Sequence, residues 1–421
     1  MANNSYKVIQ RKKRQPFLKT VRYQSRNSKT LIGGNTGCSR KRGEIMNYPV
    51  RPSLLTHMAK SYLHDDSNLP KDIIDCSLGI NPFGCSPLIT KELFTSTYDS
   101  IYSYPPHPYT ELKQSIAEYF DPIAELSLEQ IVPHTGSLGF LLHINRLFVS
   151  DGIGILTRIP SFTSALTDMA AVGGNVDMMP LAEEDNFYFI TDMFLEAMRP
   201  KHRIVYLDNP NNPTGHVIPP GDIEMIAKQC LNQNAILIVD EAYGEFMPFE
   251  HSAVSLVNKY DNVIVVKTFS KGFGLAGLRA GYGIIPKPLI KYMHKLPVEM
   301  ALTNTAASLA PYVLKDKKHI EDSKKKIRAN KEALFSHLKE LKMAETSMEV
   351  PISMIYTDLD IDLCGLFLKH GLYCERGEDF DGVGMRHIRL RVPAETEEFL
   401  KRIDDIEKEL AEIRIEFEKR R

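Results

Sequence analysis

The 421-residue chain has no tryptophan, and no apolar run approaches the ~20 residues a membrane-crossing helix needs. Its opening stretch has no apolar core of the length found in a secretory signal. Six cysteines (Cys38, Cys76, Cys85, Cys230, Cys364, Cys374) are scattered without a C-x-x-C pair, which argues against a zinc site or a disulfide framework and fits reduced thiols in the cytoplasm. No internal repeat or low-complexity tract interrupts the folded part. Acids are almost missing from residues 1–45, where Glu44 stands alone against twelve Lys and Arg. That basic arm also lacks apolar periodicity and is expected to be disordered. It reads as an unfolded tail, or as sequence ahead of a start at Met46, in preference to a transit peptide or a nucleic-acid arm; neither a nucleic-acid nor a membrane partner is expected.

The chain as a whole is ordinary for a soluble protein of two domains: 43% apolar and 25% charged, with a formal charge of -1. From Asp72 a short strand runs into Gly79-Ile80-Asn81-Pro82, and a proline-broken loop carrying Tyr104 and Tyr109 precedes an amphipathic helix. Thr110 is its expected N-cap, and Leu112, Ile116 and Tyr119 share its face. Residues 134–148 read as a Thr-Gly-Ser turn opening an apolar helix, whose free N–H groups at Gly136, Ser137 and Leu138 make a generic anion site. Strands at 152–157, 203–207, 235–243, 262–266 and 279–285 alternate with helices, the pattern of a mainly parallel sheet covered on both faces. Phe162, Asn212, Asp240, Tyr243 and Lys271 all fall at or just past strand ends, where such sheets bind ligands. Beyond residue 314, a charged helix (316–341) striped by Ile327, Leu334, Leu338 and Leu341 leads into a smaller α+β region. Its lysine run reads as a solvated face.

The densest stretch is Thr268–Tyr282, TFSKGFGLAGLRAGY. Lys271 lies between Ser270 and Gly272, with Arg279 eight residues on: an amine among small residues near a phosphate-gripping cation suits imine chemistry with an aldehyde cofactor. Gly272 to Gly277 also satisfies G-x-G-x-x-G after a strand. The dinucleotide reading fails on its late position, on the absence of a following βαβ pattern, and on Lys271, which it leaves unexplained.

In order and spacing, DNPNNPTG (208–215), IVDEAYGEF (238–246) and TFSKGFGLAGLRAGYG (268–283) resemble the fold-type I pyridoxal-phosphate enzymes of the class I/II aminotransferase group, near histidinol-phosphate aminotransferases and the amino-acid-phosphate decarboxylases. The resemblance spans about residues 72–410. It implies an α/β fold: a large domain (86–312) with a mainly parallel seven-stranded sheet, and a small α+β domain (313–421) joined by residues 46–85. It implies pyridoxal 5'-phosphate held as a Schiff base on Lys271, Asp240 on the pyridine nitrogen, Asn212 and Tyr243 on the phenolic oxygen, and Phe162 on the ring face. The phosphate falls to Arg279, Ser270, Thr268 and the Gly136-Ser137-Leu138 turn, with Tyr104 reaching the neighbouring site of a homodimer. Arg389 matches the substrate-carboxylate clamp, with Arg391 two residues away on the same strand side, and Asn81 is a second substrate candidate. No metal is expected.

The function so implied is amino transfer from an amino acid or amine, which can be phosphorylated, to a 2-oxo acid. Two departures from the family pattern stand out. Leu138-Gly139 stands where an acid or threonine is frequent, so phosphate binding there would rest on backbone amides and Ser137. Gly79-Ile80-Asn81-Pro82 replaces the Asn-Glu-Asn-Pro of histidinol-phosphate aminotransferases and, with YPPHPYTEL (104–112), looks more like the decarboxylases, which keeps that reaction open. A ligand-sensing regulator on the same fold is more remote, since residues 1–45 cannot supply a helix-turn-helix.

Overall fold

Runs of β-branched residues set the centre of the molecule. In the computed structural model, which describes residues 49–55, 57–60, 69–70 and 72–420, those runs become adjacent strands of one sheet. The basic arm expected at residues 1–45, with Cys38, lies outside the described residues. The strands before and within the sheet are β1 (Ile74–Asp75), β2 (Ile131–His134), β3 (Gly154–Ile159), β4 (Asn175–Pro180), β5 (His202–Asp208), β6 (Ile236–Asp240), β7 (Val263–Thr268) and β8 (Gly281–Ile284). Their order across the seven-stranded sheet is β2-β8-β7-β6-β5-β3-β4. All pairs are parallel except those made by β8, which runs antiparallel to β7 and β2.

Both faces are covered, so the strands read as continuous apolar runs. The helices flanking this sheet are α1 (Lys91–Ser96), α2 (Thr110–Phe120), α3 (Gly136–Phe148), α4 (Thr163–Ala171), α5 (Thr191–Ala197), α6 (Pro220–Asn232), α7 (Ile290–Met293) and α8 (Asn304–Leu314). The two-residue period of β5 divides its side chains: Val205 and Leu207 pack with Ile116 of α2 and Ile226 of α6, while Ile204 and Tyr206 pack with Phe140 of α3 and Leu166 of α4. The first residue of α2 is Thr110, not its cap. Tyr109 takes that position at φ 65°, its carbonyl accepting the Lys113 N–H and its hydroxyl the Leu302 N–H at 3.1 Å. The third residue of the buried stripe is Phe120, with Tyr119 half-buried beside it. The edge strand β4 went unforeseen because NVDMMP alternates too weakly to stand out.

After α8 come α9 (Lys317–His337), β9 (Lys342–Met343), β10 (Ile352–Tyr356), α10 (Leu363–Lys369), β11 (Leu372–Tyr373), β12 (Glu375–Arg376), β13 (His387–Arg391) and α11 (Glu397–Arg420). An antiparallel sheet β12-β13-β10-β9 packs against Ile327 and Leu334 of α9 and Phe399 and Ile403 of α11. The early strand β1 joins this region by pairing with β11, Ile74 opposite Leu372.

The lysine-rich helix α9 is not solvated all round. Lys331 lies on the same face as Ile327 and Leu334 and is fully buried. Its Nζ has four oxygens within hydrogen-bond distance, Thr346 Oγ1 and Ser347 O at 2.8 Å and Val350 O and Ile352 O at 3.1 Å, among which its N–H groups are shared. One buried donor therefore gathers the loop that leads into β10, and burial lowers the pKa of its amine. Lys331→Met keeps the stem but strands those oxygens, so we expect a loss of roughly 2–4 kcal/mol, read as a lower urea midpoint at unchanged slope.

Candidate active site

Parallel register brings two carboxylates side by side: Asp208 ends β5, Asp240 ends β6, and the two are paired residues of the ladder. Asp240 accepts the Tyr206 hydroxyl at 3.0 Å and the Ala242 N–H at 3.1 Å. Burial first, and the neighbouring Asp208 charge second, push its pKa up to about 7. An acid so placed favours whatever brings it a proton or a positive charge.

Asp208 is the hub of the turn behind it. Its carboxylate accepts from Ser161 Oγ at 3.0 Å, the Phe162 N–H at 3.1 Å, and Asn211 Nδ2 and the Asn212 N–H at 2.9 Å. Arg158, buried in β3, lies 3.6 Å from it and donates to its carbonyl. Phe162 and Asn212, both singled out in the sequence, are thus fixed by one residue that was quoted there without a role.

Lys271 follows β7, in a turn closed by the Gly274 N–H on its carbonyl. The half-buried side chain places its Nζ 5.6 Å from the centre of the Tyr243 ring. Burial of the amine, then the positive charges of Arg389 and Arg279, lower its pKa to about 7, with Glu375 and Asp240 opposing. Arg389 enters from β13: it donates to Asn212 Oδ1 at 3.0 Å and to Ser77 O, and pairs with Glu375 at 3.2 Å. Arg391 turns instead to the carbonyls of Asp75 and Val392. Of the two arginines, Arg389 faces Lys271.

Arg279 sits at φ 53° and donates to Ser270 Oγ at 3.3 Å, while Thr268 Oγ1 donates to Ser270 Oγ at 2.9 Å. The first turn of α3 closes the ring. A Cβ on Gly136 would come 2.9 Å from Arg279 Nη2, and one on Gly281 would strike Ser137 N at 2.7 Å. Thr135 provides no side-chain cap, so the leading N–H groups of α3, half-buried Ser137 and Leu138 included, look onto that space. A guanidinium, two hydroxyls and a helix N-terminus are the groups that could hold a phosphate.

Two expected residues do not join this cluster within the single chain. Asn81 is buried beneath the lysine turn, its Nδ2 donating to Gly272 O at 2.9 Å and Ser323 Oγ at 3.0 Å; it braces the turn and is committed to protein partners. Tyr104 is 83% exposed and, among the described residues, hydrogen-bonds none of the site groups. The change to Gly79 has a steric reason, since a Cβ there would stand 1.8 Å from the hydroxyl of Tyr243.

The family model described as aminotransferase class I and II matches residues 71–403. The chain belongs to that family, the pyridoxal-phosphate-dependent aminotransferases its motifs resemble. Histidinol-phosphate aminotransferases are similar along most of their length. That of Methanocaldococcus jannaschii is 30% identical over 342 residues, 80% of this chain and 90% of the relative. That of Methanococcus maripaludis is 29% identical over 343 residues, 80% and 91%. The crystal structure of histidinol-phosphate aminotransferase from Sinorhizobium meliloti with pyridoxal-5'-phosphate superposes with TM-score 0.71 at 22% identity, covering 80% of this chain and 91% of that one. The aromatic aminotransferase of Pyrococcus horikoshii superposes with TM-score 0.72 at 24% identity, covering 82% and 97%. At those identities the structures speak to the fold.

Besides Asp208, this aminotransferase uses Arg158, Tyr206, Glu375 and Gly79 in ways that sequence reasoning missed. Asp208 carried a legible signal, an acid closing an apolar strand as Asp240 does. Glu375 carried none, because only the small sheet brings it to Arg389. Asp208→Ala frees the Phe162 and Asn212 N–H groups from their common acceptor. We expect pyridoxal-phosphate affinity to fall about tenfold or more, measured by equilibrium titration of the cofactor-free protein.

Proposed function

We propose that the amino donor of this enzyme is a phosphorylated amino alcohol of the histidinol phosphate kind, and that the acceptor is a 2-oxo acid such as 2-oxoglutarate. The observation that carries this reading is the Lys271 amine, its pKa lowered to about 7 by burial and by two arginines from distant parts of the chain, Arg389 and Arg279. One suits the cofactor phosphate and the other an acceptor carboxylate. The donor class rests on the similarity to the histidinol-phosphate aminotransferases.

The residues present fit pyridoxal phosphate. The Arg279 guanidinium lies against the glycine that opens α3, where a Cβ on Gly136 would come within 2.9 Å of Nη2, and buried Asp240 is poised to meet a protonated ring nitrogen. When bound, the cofactor supplies an aldehyde that condenses with amines and a ring that accepts the electron pair left by a broken α-carbon bond. Lys271 would attach it and, once freed by an incoming amine, carry the α-proton as base and then as acid. Asp240 would hold the proton on the ring nitrogen. Asn212 and Tyr243 would position the phenolic oxygen, with Phe162 against the ring face and Arg279, Ser270, Thr268, Gly136, Ser137 and Leu138 about the phosphate. Arg389 would orient the acceptor carboxylate.

The working unit we infer is a homodimer, with Tyr104 contributed to the neighbouring site. Its support is an exposed cluster on one segment: Tyr98 at 70%, Ile101 at 68%, Tyr102 at 92% and Tyr104 at 83%. The β1–β11 pairing supports counting residues 46–85 with the small domain at 313–421, beside a large domain at 86–312. Five free cysteines among the described residues fit the reducing cytoplasm, and no described helix is long and apolar enough to cross a membrane.

Only a neutral amine attacks an aldehyde. The rate at which cofactor-free protein takes up pyridoxal phosphate is therefore expected to climb through about pH 7, not through the ordinary lysine range; borohydride trapping followed by peptide mapping to Lys271 measures it. Histidinol phosphate with 2-oxoglutarate should give the ketone phosphate and glutamate with no carbon dioxide, and Lys271→Ala should lose at least ~1000-fold in turnover. Carbon dioxide released from a phosphorylated hydroxy-amino acid would instead make the enzyme the decarboxylase left open by its sequence.

A further inference from the structure

A cavity of about 160 Å³ lies beside the residue that follows Lys271. Glu245 lines it, and a Cβ on Gly272 would come 2.4 Å from the Cβ of Glu245. The other walls are largely aromatic: Tyr119 meets Phe249 edge-on at 5.3 Å, and Phe120 stacks on Phe249 at 5.7 Å. Cations already use these rings, with Lys267 Nζ 5.7 Å from the centre of Phe120 and Lys317 Nζ 5.9 Å from that of Tyr119.

The charges inside do not cancel. Lys267 of β7 pairs with Glu245 Oε1 at 2.9 Å and Glu241 Oε2 at 3.3 Å. Glu241 is further satisfied by Ser252 Oγ at 2.7 Å and the Ala253 N–H at 2.6 Å. Glu245 is 5% exposed, and among the described residues its Oε2 meets no donor. Of the other lining charges, Asp316 accepts the Ser86 hydroxyl and the His319 N–H at 3.0 Å, the Lys317 ammonium lies over the Tyr119 and Phe249 rings, and Glu321 is taken by Lys324 at 3.1 Å. One negative charge is left over in an apolar enclosure, a costly state that either a proton or a counter-cation relieves. Burial raises the Glu245 pKa while Lys267 lowers it.

We propose that this cavity binds one weakly hydrated monovalent cation, potassium or ammonium, between Glu245 Oε2 and the aromatic faces. Ring faces attract such ions when they are desolvated. A divalent ion would need several oxygens and would surrender its water reluctantly. The bound charge would steady Glu245 against Gly272, and with it the turn that presents Lys271.

The test is thermal unfolding of the holoenzyme at fixed ionic strength. Potassium or ammonium chloride should raise Tm saturably by about 2 °C or more over Tris chloride, lithium chloride should not, and Glu245→Gln should abolish the increment. Should that variant fail to fold, anomalous scattering from rubidium soaked into wild-type crystals must place an ion in the cavity. Equal Tm in all salts, an increment that survives Glu245→Gln, or rubidium absent from the cavity would overturn the proposal; the first of these would leave a proton on Glu245 as the neutralising charge.

Discussion

The site depends on two carboxylates forced together by a parallel ladder. Asp208 and Asp240 are register partners at the ends of β5 and β6, and the strands cannot slide apart without turning their apolar faces outward. Like charges in a buried place cannot both be ionised cheaply. The fold answers by giving the two acids different partners. Asp208 receives Arg158 and a ring of N–H and O–H donors, and so becomes a fixed anion that shapes the backbone around Phe162 and Asn212. Asp240 keeps one hydroxyl and one N–H and is left with a raised pKa. The sheet's register thus divides the labour: one acid builds the pocket, and the other retains a need for positive charge.

A similar division runs between the two arginines of β13. Arg389 and Arg391 share a strand face, yet only Arg389 meets a group from the large sheet, Asn212. Arg391 is consumed by the carbonyls of Asp75 and Val392, joining the early chain to the small sheet. Same-face spacing narrowed the choice to two residues, and the three-dimensional neighbours decide it.

The large sheet was legible because β-branched runs of strand length recur with short connections, and because Asp240, Asn212, Tyr243 and Lys271 fall at their ends. The open start of α3 beside Arg279 was legible from its small residues. Residues whose role is contact over long sequence distance were not. Asn81 braces Gly272 from 191 positions away, and Glu375 reaches Arg389 only across β12 and β13. The buried Lys331 was hidden by its neighbours, since a run of lysines reads as a wet face whichever member turns inward. Tyr109 displaced Thr110 from the cap of α2 because the Leu302 N–H fixes its hydroxyl, a partner that local propensity cannot see.

The guanidinium of Arg389 is already clasped, by the Asn212 oxygen, the Ser77 carbonyl and the Glu375 carboxylate. A ligand bringing a carboxylate to that arginine has to displace part of the clasp, and in doing so frees Asn212 and loosens the early chain from the small sheet.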